Sequence, residues 1–444
     1  MGNNFRSDKL ALLVGGGPAP GINGVISAVT FEALNQGMDV LGVFDGFKWL
    51  VQGNTDRVMK LTFDDVNHIA NRGGSVLRTS RVNPAKSKED MHRVLDSLHQ
   101  LGVTALVTIG GDDTAFSASQ VHWHAGGAIR VAHVPKTIDN DLPLPPGVPT
   151  FGFETARHVG VEIVRNLAED ARTTSRWYIV VTMGRAAGFL ALGIGKAAGA
   201  HITLIPEEFP RNSLTVEHLC DILLGTIIKR HSRGRQRGVA ILAEGLLDAI
   251  GFDRLQSIMD AQPGRYGDLV RDDHGHLRLG EIDFGRMVRD YLAARLADLI
   301  ADEPLAGESK PRKSKLEISF IDKEVGYELR SADPIPFDVD YTRDLGYGAV
   351  KFLLSPAAKK FGAIISVVGG VMKPLPFADL INPETGRMQP RKVDIKGEAF
   401  EVARRYMMRL ERDDFQEPQL SQLAAVAGLS PERFRDRFGY VVGL

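Results

Sequence analysis

Cysteine is almost missing from this chain: Cys220 is the only one. No intramolecular disulfide can form, and a cysteine-based zinc site is excluded. A reducing compartment fits that usage. No apolar run approaches the ~20 residues a membrane span needs. The start, MGNNFRSDKLALLVGGG, lacks the long apolar core and cleavage site of a secretory signal. A cytoplasmic protein is expected, with no membrane partner. Charge of one sign is also lacking. Lys and Arg number 54 and Asp and Glu 55, a net charge of -1. No global field draws the chain to nucleic acid or acidic lipid, so any anion site must be local. Neither a Walker A sequence nor GxGxxG is present. No short-period repeat and no low-complexity tract occurs.

What the chain has is glycine, 47 residues among 444, placed after short apolar runs. LALLVGGGPAPGINGVISAVTFEALNQG reads as strand, glycine turn, helix. VTALVTIGGDDTAFSASQVHWHA repeats the plan. RWYIVVTMGRAAGFLALGIGKAAG and RGVAILAEGLLDAIG repeat it again, and KKFGAIISVVGGVMKPLP adds a strand. Such alternation predicts βαβ units and mostly parallel sheets. At this length the expected fold is α/β, in two or more packed domains. DFGRMVRDYLAARLADLIADE reads as a helix and LAGESKPRKS (305–314) as an exposed loop.

In parallel sheets ligands bind beyond the carboxyl ends of the strands, where these glycine turns lie. VGGGPAPGING, Val14 to Gly24, lets the backbone approach a phosphate and opens a helix N-terminus toward it. The same pattern also serves a tight turn with no ligand. In IGGDDT, Asp112 ends a strand beside glycines, and one or two carboxylates plus substrate oxygens suit Mg²⁺. The alternative is that Asp112 or Asp113 caps the next helix. In PKTIDND, Asp139 and Asp141 flank Asn140, so both can sit on one side of an extended loop. One could take a proton while the other orients it or touches the metal. Lys136 and Thr137 add a cation and a hydroxyl; a solvated acidic turn is the alternative. Arg176, Arg185 and Arg330 are guanidinium forks suited to phosphate, with Tyr327 beside the last. Glu244, in LAEG, could accept sugar hydroxyls or cap a helix.

In this order, VGGGPAPGING, GGSVLRTSR, IGGDDT, PKTIDND, GFETA, TMGRAAG, LAEG and GYELR resemble the phosphofructokinase family. They run from about residue 10 to about residue 345. The resemblance implies phosphoryl transfer to the 1-hydroxyl of fructose 6-phosphate. It also implies two Rossmann-like three-layer α/β domains with the active site in the cleft between them: a larger one over 1–150 plus about 336–380, and a smaller one over 151–335 plus about 381–444, with an insertion at about 247–314. ATP users of the family carry glycine where this chain has Asp113 and again where it has Lys136, a pair that resembles the pyrophosphate-dependent branch. The Asp113 carboxylate would meet the α-phosphate of ATP. At ~4 Å the repulsion is roughly 1 kcal/mol in water and about 4 at an effective dielectric near 20. The larger figure is about a thousandfold. Pyrophosphate has no third phosphate to repel.

The roles implied by the resemblance are as follows. Mg²⁺ lies on Asp112, and Gly16, Gly17, Arg81 and Gly111 hold the donor. Lys136 stabilises the transferring phosphoryl group. Asp139 is the proton acceptor, supported by Thr137 and Asp141. Thr137, Ile138, Asp139, Met183, Gly184, Arg185, Glu244, Tyr327 and Arg330 contact the sugar phosphate, Arg330 at its 6-phosphate. Arg176 reaches a neighbouring active site, implying a homodimer or homotetramer. Lys315 is the candidate for a second such residue. Tyr327 stands where ATP users have histidine. The alternatives kept are an ATP-dependent enzyme and a non-catalytic sugar phosphate sensor. LSQLAAVAGLSPERFRDRFGYVV also matches helix-turn-helix spacing at Ala424, Gly428 and Ser430. Three arginines against two acids give Pro431–Gly439 little basic excess, so a helical hairpin packed on the enzyme is expected, with no nucleic acid partner.

Overall fold

The computed structural model describes residues 8–270, 277–301 and 316–444. The expected loop at 305–314 and Lys315 lie outside the described residues, as does part of the expected insertion.

Eleven strands are present among the described residues: β1 (Lys9–Val14), β2 (Asp39–Val43), β3 (Val58–Lys60), β4 (Ala105–Gly110), β5 (Arg130–Pro135), β6 (Trp177–Thr182), β7 (Ile202–Leu204), β8 (Gly238–Ala243), β9 (Phe320–Val325), β10 (Ala363–Val368) and β11 (Val371–Pro376). They form two sheets, ordered β11-β10-β5-β4-β1-β2-β3 and β7-β8-β6-β9. The second sheet is parallel throughout. The first is parallel except at its edges, where β2–β3 and β10–β11 are antiparallel. KKFGAIISVVGGVMKPLP therefore makes a hairpin and not the single strand expected. Gly369 and Gly370, both at positive φ (58° and 76°), turn the chain between β10 and β11.

By its internal contacts the chain divides into two units, Met1–Val159 with Tyr327–Arg391, and Gly160–Gly326 with Lys392–Leu444. In the first unit, strand alternation sorts side chains onto two faces. Leu10, Leu12 and Val14 pack with Ile22, Val25 and Val29 of helix Ile22–Asn35 and with Leu345 and Leu353 of helix Pro336–Leu354. Ala11 and Leu13 pack on the opposite face with Val94 and Leu98 of helix Lys88–Gln100 and Ala115 of helix Asp112–His124. This is the expected three-layer plan.

In the second unit, Trp177, Ile179 and Val181 share a core with Leu219 and Leu223 of helix Val216–Ser232 and with Met287, Val288 and Leu292 of helix Phe284–Ala301. Cys220 lies in that core, and burial pushes its thiol pKa up, so it packs as a small apolar residue. The C-terminal pair of helices, Gln419–Ala427 and Pro431–Phe438, joins the same core through Leu423, Phe434 and Phe438. Phe434 and Phe438, four residues apart on the would-be recognition helix, are fully buried. Tyr440 donates to the buried Asp221 carboxylate at 2.6 Å, and Arg295 also pairs with it. The helix-turn-helix spacing thus belongs to a packed hairpin.

Candidate functional site

The first unit assembles its part of the site at the carboxyl ends of β1, β4 and β5, adjacent strands of one parallel sheet. After β1, Gly15 N–H donates to Ile109 O (2.8 Å) and Gly16 N–H to Ser80 O (2.9 Å). Thr79 donates its hydroxyl to Gly16 O at 2.6 Å. The segment GGSVLRTSR therefore runs alongside the glycine loop and brings Arg81, exposed, to it. Asn23 fastens the earlier part of that segment. Its amide donates to Arg72 O and Gly73 O (both 3.1 Å) and accepts from Val76 N–H (2.9 Å).

Gly16 sits at φ 80°, a left-handed conformation. At Gly17 the crowding comes from a side chain. The Arg330 guanidinium lies so close to its α-carbon that a Cβ there would overlap it. Lys136 reaches the same residue from β5: its side chain is 4% exposed and its ammonium donates to Gly17 O. A lysine and an arginine thus converge on one glycine of the loop. Arg330, expected at the sugar 6-phosphate, is against the donor loop here, with its guanidinium carbon 5.5 Å from the exposed Tyr327 ring.

Asp112 and Asp113 occupy the first turn of helix Asp112–His124. Neither caps it, because Gly111 is the N-cap residue and no side chain bonds there. Their charges instead complement the positive end of the helix. The Gly110 carbonyl, just before this turn, accepts Lys136 N–H at 2.8 Å and lies 3.0 Å from His133 Nε2. His133 is fully buried, with Nδ1 2.8 Å from Thr108 Oγ1. Burial, aided by the Lys136 charge, pushes its pKa down to about 3, so the ring is neutral. Among the described residues no group of three or more His, Cys, Asp or Glu is placed to hold a metal. A carboxylate pair at a strand end still fits Mg²⁺, which takes most of its oxygens from phosphate and water.

The PKTIDND loop is not the extended segment expected. Asn140 is left-handed at φ 57°. Thr137 Oγ1 accepts Asp139 N–H at 3.0 Å, and Thr137 O accepts the Thr150 hydroxyl at 2.8 Å. Ile138, Asn140 and Asp141 are buried, and Asp139 is half-buried. GFETA follows as the start of helix Phe153–Thr174. Asp338 secures it, accepting from Gly152 N–H (2.8 Å), Thr155 N–H (2.9 Å) and the Thr155 hydroxyl (2.6 Å).

The second unit holds the remaining residues at the carboxyl ends of β6 and β8. Met183, Gly184 and Arg185 follow β6, with Arg185 left-handed at φ 49°. Glu244, after β8, accepts from Gly184 N–H (3.0 Å) and Arg185 N–H (2.7 Å) through one carboxylate oxygen. Its side chain therefore shapes this loop and does not cap the following helix. Glu207 braces the end of the loop, accepting from Gly188 N–H (2.9 Å) and Val393 N–H (3.0 Å). Burial raises the Glu207 pKa. Arg176 stands apart from this group. It is exposed and precedes β6, while Met183 follows it. Six strand residues put these ends roughly 20 Å apart.

Residues 9–353 match the model of the family described as Phosphofructokinase. The chain belongs to the phosphofructokinase family. It is 51% identical over 439 residues to the pyrophosphate–fructose 6-phosphate 1-phosphotransferase of Thermotoga maritima, covering 99% of this chain and 100% of that one. It is 49% identical over 441 residues to the enzyme of the same name from Naegleria fowleri, covering 98% and 95%. A solved pyrophosphate-dependent phosphofructokinase from Marinobacter aquaeolei, 15% identical, superposes with a TM-score of 0.62 over 98% of this chain and 91% of that one. At that identity the likeness speaks for the phosphofructokinase fold alone.

The sequence reading of this phosphofructokinase did not single out His133, Asn23, Asp338, Glu207 or Arg391. All of them hold loop backbone. His133 gave no signal, since a histidine inside the apolar run of β5 reads as core.

Proposed function

We propose that this protein transfers a phosphoryl group reversibly from pyrophosphate to the 1-hydroxyl of fructose 6-phosphate, giving fructose 1,6-bisphosphate and phosphate. The observation that carries the donor assignment is the buried Lys136 ammonium on Gly17, with Asp113 beside Asp112 on the next strand end. A lysine fixed on the glycine loop can neutralise charge on a phosphoryl group in transfer. The Asp113 carboxylate disfavours a longer polyphosphate.

In this reading Gly17 and Gly111 take the donor through backbone N–H groups, Gly16 lets it approach the loop closely, and Arg81 adds charge. Asp112 would hold Mg²⁺, which would supply charge neutralisation on the phosphate oxygens. Asp139 accepts the proton of the sugar 1-hydroxyl as its oxygen attacks, within a loop supported by Thr137 and Asp141. Met183, Gly184, Arg185 and Glu244 contact the sugar phosphate, together with Tyr327 and Arg330. Arg330 also touches the donor loop, so it can sense both substrates. Arg176, remote from the Met183 loop of its own unit, serves a neighbouring copy in a homodimer or homotetramer. No helix among the described residues is long and apolar enough to cross a membrane, and we assign the protein to the cytoplasm.

The test is turnover of fructose 6-phosphate and Mg²⁺ with pyrophosphate or ATP in parallel, reading fructose 1,6-bisphosphate. Product with pyrophosphate alone supports the reading. Product with ATP alone refutes the donor assignment, and product with neither refutes the activity. Loss of turnover on chelation, restored by Mg²⁺, checks the metal.

A further inference from the structure

Asn140, between the two loop carboxylates, is gripped by one side chain from a distant part of the sequence. Arg391 Nε donates to Asn140 O at 2.6 Å, and its Nη2 donates to Asn140 Oδ1. Its Nη1 lies 3.5 Å from Pro145 O, and its own backbone N–H donates to Asp141 O at 2.7 Å. The opposite lobe of Asn140 Oδ1 receives Thr150 N–H at 3.0 Å. The loop is therefore fastened at Thr137, at Asn140 and at Asp141, with Asp139 between the fastenings. Asn140 holds a left-handed φ of 57°, a conformation an asparagine tolerates but does not prefer. A fork that binds its main-chain and side-chain oxygens together selects that conformation.

The chemistry is specific to arginine. Three acceptors lie around one planar group, and a guanidinium presents its donors in a fixed geometry that an ammonium cannot copy. Arg391 is half-buried, and burial lowers its pKa while the Asp141 carboxylate raises it, so the cation is held against a desolvation cost. Tyr341 covers the same neighbourhood, its hydroxyl donating to Pro149 O at 3.0 Å.

Resting on the functional reading above, we propose that Arg391 is a positioning residue for phosphoryl transfer: it sets the Thr137–Asp141 backbone so that the Asp139 carboxylate faces the sugar 1-hydroxyl. It touches neither substrate in this role. Its loss therefore lowers kcat and leaves substrate binding in place.

The experiment compares wild-type enzyme with Arg391→Ala and Arg391→Lys in steady-state assays, with thermal midpoints measured alongside. For Arg391→Ala we expect kcat to fall roughly a hundredfold, the scale of a misplacement of about 1 Å. KM for pyrophosphate and for fructose 6-phosphate should stay within about threefold of wild type. Millimolar guanidinium, which fits the vacated site, should restore part of kcat, while potassium at equal ionic strength should not. Arg391→Lys, the gentler variant, should lose kcat less than Arg391→Ala with the same KM values. If Arg391→Ala does not fold, the lysine variant decides the matter alone. A kcat within twofold of wild type in either variant overturns the proposal. So does a loss that tracks the thermal midpoint, raises KM equally and ignores guanidinium, because that describes a merely structural contact. Absence of pyrophosphate turnover in the wild type would overturn the functional reading only. The same ratios, taken with the donor that does turn over, would still decide Arg391.

Discussion

His133 makes the candidate site acid-sensitive in a way that can be calculated. A carbonyl only accepts, so the nitrogen 3.0 Å from Gly110 O, Nε2, carries the proton. Nδ1 is then the acceptor for the Thr108 hydroxyl at 2.8 Å. A second proton would have to displace that bond inside a fully buried site near the Lys136 ammonium. Burial, helped by the lysine and opposed by the Gly110 hydrogen bond, holds the pKa at about 3 against an ordinary 6.5. The folded pKa is depressed, so between about 3 and 6.5 the unfolded chain binds a proton that the folded chain does not. The stability contribution is whole above 6.5 and is lost as pH falls toward 3. Each unit is worth 1.36 kcal/mol, so the full swing is about 5 kcal/mol, of which about 2 kcal/mol is gone by pH 5. His133→Gln isolates this effect, since an amide can donate to Gly110 O and accept from Thr108 without titrating. Urea unfolding of both proteins at about pH 8 and about pH 5 gives a double difference, in which other titrating groups such as His201 cancel. Wild type should lose about 2 kcal/mol more than the glutamine variant. Equal losses, within about 0.5 kcal/mol, would refute both the neutral tautomer and the burial argument behind it.

Three further outcomes are expected. Asp113→Gly should raise turnover with ATP by a factor between about five and about a thousand, the range set by one to four kcal/mol of removed repulsion; parallel donor assays read it, and no gain with ATP would sink the electrostatic account. Asp139→Asn should lower kcat by roughly 10²–10⁴ with little change in KM, because the amide cannot take the proton; a variant with near-normal kcat would assign the base elsewhere. Asp338→Ala strands three donors at the start of helix Phe153–Thr174; at ~1–3 kcal/mol for each buried unmet group, offset by relief of the buried carboxylate, a loss of about 3 kcal/mol is expected as a shift in the urea midpoint.

The strand and helix plan was readable because it rests on local physics: apolar runs of strand length, glycine where the chain must turn, and amphipathic runs after each turn. Where local and long-range preferences differ, reading failed. GGVMKPLP looked like the tail of one strand because two glycines inside an apolar run carry no sign of which way the chain reverses. PKTIDND looked extended because alternating acids suggest one face. In the folded chain a clamp 251 residues away holds Asn140 left-handed. Ala424, Gly428 and Ser430 matched a helix-turn-helix by spacing, while Phe434 and Phe438 of the second helix belonged to the core.

A common rule separates the legible residues from the missed ones. Asp112, Asp113, Lys136 and Asp139 follow directly on the ends of β4 and β5, so their chemistry and their position are adjacent in sequence. Asn23, Asp338 and Arg391 act on backbone atoms of other segments, and any segment passing nearby could have supplied the donor or acceptor. Asp338 meets Gly152 across 186 residues. A backbone N–H or C=O looks alike at every position, so nothing in the loop's own sequence names its partner. What the loop does reveal is need: glycines, left-handed residues and buried carbonyls gathered at strand ends create polar groups that must be met somewhere. A search for those unmet groups, followed by a search for buried Asn, Asp, Glu or Arg elsewhere, is the physical route by which such residues become findable.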